Sequence, residues 1–128
     1  EPTAEQERVY RTLFKAQETG FTALGGNSPP SPFQLDRIVR EVLTEAGLEK
    51  AFSHGTGHGI GLEIHEAPSI SPAAGNEPLE AGMVFTIEPG CYFPNRWGIR
   101  IEDTIHLTEE GPVKLTTIDK NLERMIIS

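Results

Sequence analysis

Hydrophobic positions in the first third of the chain recur at intervals of three and four residues, the spacing of one helix face. Thr3 and Gln6 form a capping-box pattern at the start of the first such stretch, which extends to about residue 24. Ser31 and Gln34 repeat this pattern before a second stretch, and Gly47 is a natural stop after it. These signals predict a helical hairpin.

The pattern changes at residue 51, where short β-prone runs alternate with glycine and proline. We expect strands near residues 51–55, 60–65, 83–88 and 98–107. An irregular connection over 66–81, a turn at 109–111 and a short helix over 118–126 complete the expected elements. Helices followed by strands indicate an α+β fold with a mostly antiparallel sheet.

Composition narrows the class of protein. The chain has 128 residues with 11 Lys+Arg against 19 Asp+Glu, a formal net charge of -8, which fits one domain or part of one. An acidic chain argues against a nucleic-acid partner, because phosphate binding requires an excess of Lys and Arg. No apolar run approaches the ~18–20 residues of a membrane span, and we expect no membrane partner. The single cysteine, Cys91, fits a reducing compartment, and we expect a cytoplasmic protein.

The densest polar segment spans residues 53–66, where three of the four histidines alternate with glycines. His58 and His65 would lie on opposite faces of a regular strand, because their positions have opposite parity. A glycine bulge near residues 57–59 would bring both imidazoles into one pocket. Glycine also lets the backbone approach a ligand closely.

Two glutamates stand at or near the ends of strand-like apolar runs. Glu88 ends one run, and Glu102 lies two residues after Arg100 in another. A carboxylate at the end of a buried strand is costly unless a cation or hydrogen-bond donors meet it. With His58, the two glutamates could form a set of one nitrogen and two oxygen ligands that suits Mn, Co, Fe or Zn. Taken singly, Glu88 could instead be a surface residue, and Arg100 with Glu102 a solvated ion pair.

Three sequence blocks closely resemble the pita-bread metallopeptidases. They are HGTGHGIGLEIHEAP at 54–68, GMVFTIEPG at 82–90 and GIRIED at 98–103. Their order and spacing are family-like, and the resemblance is closest to the proline-specific branch, the Xaa-Pro dipeptidases (prolidases) and Xaa-Pro aminopeptidases. The resemblance implies that residues 1–128 form the C-terminal half of the α+β pita-bread fold, a helical hairpin packed on a curved, mostly antiparallel sheet.

The resemblance also implies a dinuclear metal site with two aspartate, one histidine and two glutamate ligands. His58 matches the histidine, Glu88 the first glutamate and Glu102 the glutamate that bridges both ions, which would be Mn, Co or Zn. His54 and His65 match non-ligand histidines that contact the substrate and the tetrahedral intermediate. The implied catalytic residues are therefore His54, His65, Glu88 and also Arg100, which matches an arginine of the proline-specific branch.

One departure from the family pattern concerns the two ligand aspartates, which should lie before Thr3. The only aspartates are Asp36, Asp103 and Asp119, and none has the family context. Because the chain also lacks an initiator methionine, we expect a C-terminal fragment that binds at most one ion weakly and has negligible activity alone. An exposed sheet edge would favour self-pairing, and we expect a homo-oligomer.

The activity implied for the parent protein is metal-dependent hydrolysis of Xaa-Pro peptide bonds, either at peptide N-termini or in dipeptides. The choice between dipeptidase and aminopeptidase stays open, because its determinants lie partly outside this chain. Two other functions are a creatinase-like hydrolase that uses no metal and a non-enzymatic relative that binds peptides or proteins. The complete set of His58, Glu88 and Glu102 argues against both.

Overall fold

Two capped helices open the chain in the computed structural model, which describes residues 1–127. Helix α1 (Ala4–Ala23) and helix α2 (Pro32–Glu45) begin where the capping boxes predicted. The Thr3 hydroxyl accepts from the Gln6 amide at 3.3 Å, and the Gln6 side chain accepts from the Thr3 amide at 2.8 Å. Ser31 and Gln34 make the same reciprocal pair, which confirms the predicted helical hairpin.

Antiparallel strands follow the helices and form two sheets. The strands are β1 (Gly57–Gly59), β2 (Glu66–Ile70), β3 (Val84–Ile87), β4 (Gly90–Phe93), β5 (Trp97–Arg100), β6 (Asp103–Thr108) and β7 (Gly111–Lys114). Five of them form one sheet in the order β2-β1-β3-β6-β7, and β4 pairs with β5 in a separate hairpin. A short helix, α3 (Leu122–Met125), follows β7 and lies within the region predicted for the last helix. The α+β fold is confirmed.

Of the expected strands, only 83–88 is confirmed nearly as predicted, as β3. Residues 51–55 contain the end of a 3-10 helix (Glu49–Ala51) and an irregular segment, and 60–65 is a bent loop between β1 and β2. That loop is held by hydrogen bonds from the Gly61 amide to the Glu63 carbonyl at 3.0 Å and from the Glu63 amide to Glu66 Oε1 at 3.1 Å. Local alternation of apolar residues does not reveal such contacts.

The expected strand 98–107 is interrupted, so that its two halves, β5 and β6, belong to different sheets. The break lies at residues 101–102, where the Ile101 amide donates to the Pro89 carbonyl at 3.1 Å. The expected irregular connection over 66–81 also begins with a regular strand, β2. Pairing partners that are distant in sequence decide both features.

The core lies between the helices and the sheets. Helix α1 contacts β3, β4 and β5, and α2 contacts β2. Side chains alternate along β3, so buried Phe85 and Ile87 lie in this core while Thr86 and Glu88 face the other way, as the sequence predicted. No helix within residues 1–127 is both long enough and apolar enough to span a membrane.

Candidate metal centre

The predicted glycine bulge is present in β1. Gly57 and His58 pair with Ile70 and Ser69, but Gly59 pairs with Glu66, so the register shifts between His58 and Gly59. The shift brings His65, in the loop before β2, against His58 with ring centroids 4.2 Å apart. The bulge therefore gathers two imidazoles that a regular strand would separate.

The glycines on both sides of His58 are required by close backbone packing. A Cβ atom on Gly57 would lie 1.9 Å from the carbonyl oxygen of Thr86, and one on Gly59 would lie 2.1 Å from that of Ala67. Real Cβ atoms do not approach oxygen this closely. Strand β1 can therefore run between β2 and β3 only with glycine at both positions.

Hydrogen bonds orient the His58 ring. Its Nδ1 lies 2.9 Å from the Gly59 carbonyl oxygen, which can only accept, so Nδ1 carries the proton. The other nitrogen, Nε2, points at Glu88 Oε1 at 3.0 Å. Thr86 joins the two residues, because its hydroxyl accepts from the His58 amide at 3.1 Å and donates to Glu88 Oε1 at 2.8 Å.

Glu88 is 9% exposed, and its amide donates to the Thr56 carbonyl at 2.7 Å. The Arg100 guanidinium approaches it from the solvent side, with Nε 3.8 Å from Glu88 Oε2 and also 3.8 Å from Glu102 Oε2. These distances exceed hydrogen-bond length. The Arg100 guanidinium thus lies near the carboxylates of Glu88 and Glu102 without a hydrogen bond to either.

The three predicted ligand residues lie together, with one ligand atom each from His58, Glu88 and Glu102 all within 4.8 Å of one another. Two ligands of one ion, each about 2.1 Å from it, are at most about 4.2 Å apart. Small side-chain rotations would therefore place all three on one cation. The His58 Nε2 atom and the two carboxylates fit a divalent ion of the Mn, Co, Fe or Zn group.

His54 and Arg100 both lie next to Tyr92, a residue that the sequence analysis did not single out. The Tyr92 hydroxyl lies 2.8 Å from His54 Nε2, and His54 Nδ1 lies 2.7 Å from the Gly55 carbonyl oxygen. Tyr92 raises the pKa of the Arg100 guanidinium above its ordinary value, and the charges of Glu88 and Glu102 add to the effect. In the β4–β5 hairpin, Gly90 pairs with Arg100 and Tyr92 with Gly98, which places Tyr92 close to Arg100.

One family model covers most of the chain. The model of metallopeptidase family M24 matches residues 1–109. This chain belongs to the M24 family.

Relatives of this M24 chain are peptidases by name. The "Probable dipeptidase PepE" of Mycobacterium tuberculosis is 46% identical over 123 residues, which are 95% of this chain and 32% of that protein. The "Xaa-Pro dipeptidase" of Pyrococcus furiosus is 41% identical over 121 residues, 94% of this chain and 34% of that protein. The chain thus spans about a third of the length of these curated relatives.

Solved structures confirm the pita-bread fold of this M24 chain. The crystal structure of X-Pro aminopeptidase from Thermotoga maritima superposes with a TM-score of 0.87 at 39% identity, and the match covers 94% of this chain and 34% of that one. The resemblance of the three sequence blocks therefore predicted the family and the fold correctly.

None of the three aspartates joins the cluster in the part of the M24 chain that the structure describes. Each forms an ion pair instead: Asp36 with Arg40, Asp103 with Lys120 and Asp119 with Arg124. Cys91 is fully buried, and burial raises the pKa of its thiol to about 11. The thiol is thus protonated at neutral pH and acts as a packed apolar group.

Proposed function

We propose that the protein containing this chain hydrolyses Xaa-Pro peptide bonds with the help of divalent metal ions. The observation that carries the proposal is the cluster of His58, Glu88 and Glu102, with ligand atoms within 4.8 Å. It lies in a chain of the M24 family whose relatives include a named Xaa-Pro dipeptidase and a named X-Pro aminopeptidase.

The cluster supplies three of the five ligands of the family pattern. His58 would bind through Nε2, and Glu88 and Glu102 through carboxylate oxygens. The remaining two aspartates would complete a site for two ions of Mn, Co or Zn in the protein, whereas this chain alone would hold at most one ion weakly. A bound divalent ion lowers the pKa of its water ligand and polarises a carbonyl group.

Glu88 is the proposed proton acceptor. Its Oε1 is engaged by the Thr86 hydroxyl at 2.8 Å, whereas Oε2 faces Arg100 at 3.8 Å and is open to a further partner. The Thr56 carbonyl binds the Glu88 amide and the Thr86 hydroxyl binds Oε1, so both the backbone and the carboxylate of Glu88 keep a defined position. Oε2 is therefore suited to take a proton from an attacking water and pass it to the leaving nitrogen.

Three neighbouring residues would bind and orient the substrate. His65, beside His58, would donate a hydrogen bond to the developing oxyanion, an interaction of the kind worth about 3–4 kcal/mol. His54 and Arg100 would orient the proline side, because a guanidinium can bind a carboxylate through two parallel hydrogen bonds. Arg100 is charged for this task, because a guanidinium is not deprotonated in proteins.

The test incubates the protein containing this chain with Mn²⁺ and either a Gly-Pro dipeptide or a longer Xaa-Pro peptide, followed by chromatography. We expect cleavage only before proline, and its loss in Glu102→Gln. The matched control is Glu109→Gln, which alters an exposed turn residue outside the cluster. Cleavage of the dipeptide alone identifies a dipeptidase, and cleavage of the longer peptide an aminopeptidase.

Failure to cleave either peptide with Mn²⁺ bound would contradict the peptidase function and favour a peptide-binding relative. Cleavage that persists without any metal would favour the creatinase-like alternative. We further propose that the 128-residue chain alone is inactive. Turnover by that chain that disappears in Glu102→Ala would refute this statement.

Self-association is a further part of the proposal. β2 and β7 are the edge strands of the five-stranded sheet in the described residues. Unpaired strand edges offer hydrogen-bonding groups to a second chain. We expect light scattering of the 128-residue chain to report a homo-oligomer, and a monomer at all concentrations would contradict this.

A further inference from the structure

Residues 52–56 carry part of the candidate site but belong to no helix or strand. This segment contains His54, whose ring contacts Tyr92, and Thr56, whose carbonyl accepts the Glu88 amide at 2.7 Å. It leads directly into β1 and His58. Its conformation therefore affects both the substrate-facing histidine and two of the three candidate metal ligands.

The segment lies against Asp36 and Arg40, one turn apart on α2. Arg40 Nε donates to Asp36 Oδ2 at 3.0 Å, and Arg40 Nη2 donates to Asp36 Oδ1 at 3.0 Å, so the pair is bidentate. The Asp36 side chain is only 2% exposed. Two parallel hydrogen bonds fix the plane of the guanidinium relative to the helix.

The same Asp36–Arg40 pair also binds the 52–56 segment. Arg40 donates through Nη1 to the Phe52 carbonyl at 3.2 Å and through Nη2 to the His54 carbonyl at 2.9 Å, and its guanidinium lies 4.2 Å from the centroid of the Phe52 ring. Asp36 Oδ1 accepts from the Thr56 amide at 3.1 Å and from the Thr56 hydroxyl at 2.9 Å. Phe52, His54 and Thr56 are thus all bound by one ion pair.

We propose that Asp36 and Arg40 are positioning residues of the candidate metal centre. They hold the 52–56 segment so that the Thr56 carbonyl fixes the backbone of Glu88 and the His54 ring faces Tyr92. The consequence for catalysis rests on the proposed peptidase function, whereas the mechanical coupling from α2 to Glu88 does not.

A buried ion pair has no general advantage for stability, because apolar residues of similar size often replace such a pair at no cost. Removal of a single partner is different, since it leaves an uncompensated buried charge. A purely structural pair should therefore be replaceable by two leucines without effect on the site. A positioning pair should not, because leucine cannot bind the carbonyl and amide groups of the segment.

The experiment compares Asp36→Asn, Arg40→Lys and the double variant Asp36→Leu/Arg40→Leu in the protein containing this chain. Val39→Ala is the control, since Val39 is fully buried on the same helix and packs toward Gly20 of α1. The first measurement is hydrogen–deuterium exchange of the metal-free protein. We expect faster exchange in the peptides covering 52–56 and Glu88 in all three pair variants, and no selective change there in Val39→Ala.

The second measurement is Mn²⁺ affinity by calorimetry. Loss of groups that orient metal ligands typically lowers affinity about 10- to 100-fold, and we expect a reduction of this size in the pair variants only. If Asp36→Asn does not fold, Arg40→Lys is used for the test instead. Lysine keeps the positive charge but lacks the planar guanidinium that makes two parallel hydrogen bonds.

A folded double-leucine variant with unchanged exchange at Glu88 would overturn the proposal. If the wild-type protein binds no Mn²⁺, the proposed function fails. Hydrogen–deuterium exchange of the peptide covering Glu88 still decides whether the Asp36–Arg40 pair positions Glu88. The two failures are therefore distinguishable.

Discussion

A methyl group added at residue 57 should damage both the sheet and the metal centre. In Gly57→Ala, the new Cβ would lie 1.9 Å from the Thr86 carbonyl oxygen, whereas ordinary contact begins near 3.4 Å. The two nearest atoms are the backbone oxygen and carbon of Thr86, so movement of a flexible side chain cannot relieve the clash. Strands β1 and β3 would have to separate by about 1.5 Å, the difference between these two distances.

Such a separation would break hydrogen bonds that flank the strand pair. The Ile60 amide donates to the Val84 carbonyl at 3.1 Å and the Glu88 amide to the Thr56 carbonyl at 2.7 Å. Each bond contributes about 1 kcal/mol, and overpacking costs about 1–3 kcal/mol more. We expect a loss of about 3–5 kcal/mol and a fall in the melting temperature of about 10–20 °C.

The assay is thermal unfolding by circular dichroism, with Mn²⁺ calorimetry on the folded protein. Gly75→Ala is the matched control, because nothing lies within 4 Å of a Cβ built at Gly75. That control should be as stable as the wild type or gain up to about 1 kcal/mol, since alanine restricts the unfolded chain. The reasoning is refuted if Gly57→Ala melts within about 2 °C of the wild type and binds Mn²⁺ equally well.

Three other perturbations report on the same region. Glu88→Gln and Glu102→Gln should each lower the Mn²⁺ affinity measured by calorimetry, because each removes a charged ligand atom from the cluster; equal affinity would place the ion elsewhere. Thr86→Val should cost about 1–3 kcal/mol in chemical denaturation and weaken Mn²⁺ binding about 10- to 100-fold, since its hydroxyl bridges His58 and Glu88. Folding raises the pKa of the Cys91 thiol from 9.0 to about 11. At a solution pH between these two pKa values, the thiol is ionised in the unfolded chain and protonated in the folded one. Stability should then fall with rising pH by at most about 1.4 kcal/mol per unit, and a Cys91→Ala variant with the same slope would contradict this.

The helices were predictable because their signals are local. A capping box joins residues three apart, and both boxes are formed at Thr3 and Ser31 as the sequence indicated. The strands were less predictable. Residues 98–107 look like one strand, but the bond from the Ile101 amide to Pro89 divides them between two sheets. That bond joins residues twelve positions apart, and no local pattern reveals it.

The residues of the candidate site were likewise only partly predictable from the sequence. The histidines, glutamates and arginine were identified from motif resemblance, and the bulge at Gly57–Gly59 from parity and glycine content. Thr86, Tyr92 and the Asp36–Arg40 pair were missed, because each also contacts a partner far away in sequence that gives it its role. Thr86 and Tyr92 look like ordinary strand residues, and Asp36 with Arg40 looks like an exposed helical ion pair until α2 packs against residues 52–56.

The sequence by itself determined the boundaries of α1 and α2, the alternation of β3 and the residue types of the cluster, since these depend on neighbours within a few positions. Only the tertiary structure decided the strand partners, the distances within the cluster and the contacts of Asp36 and Arg40. The physical reason is that backbone hydrogen bonds in a sheet and ion pairs to loop carbonyls join groups distant along the chain. Their formation depends on how the whole core packs.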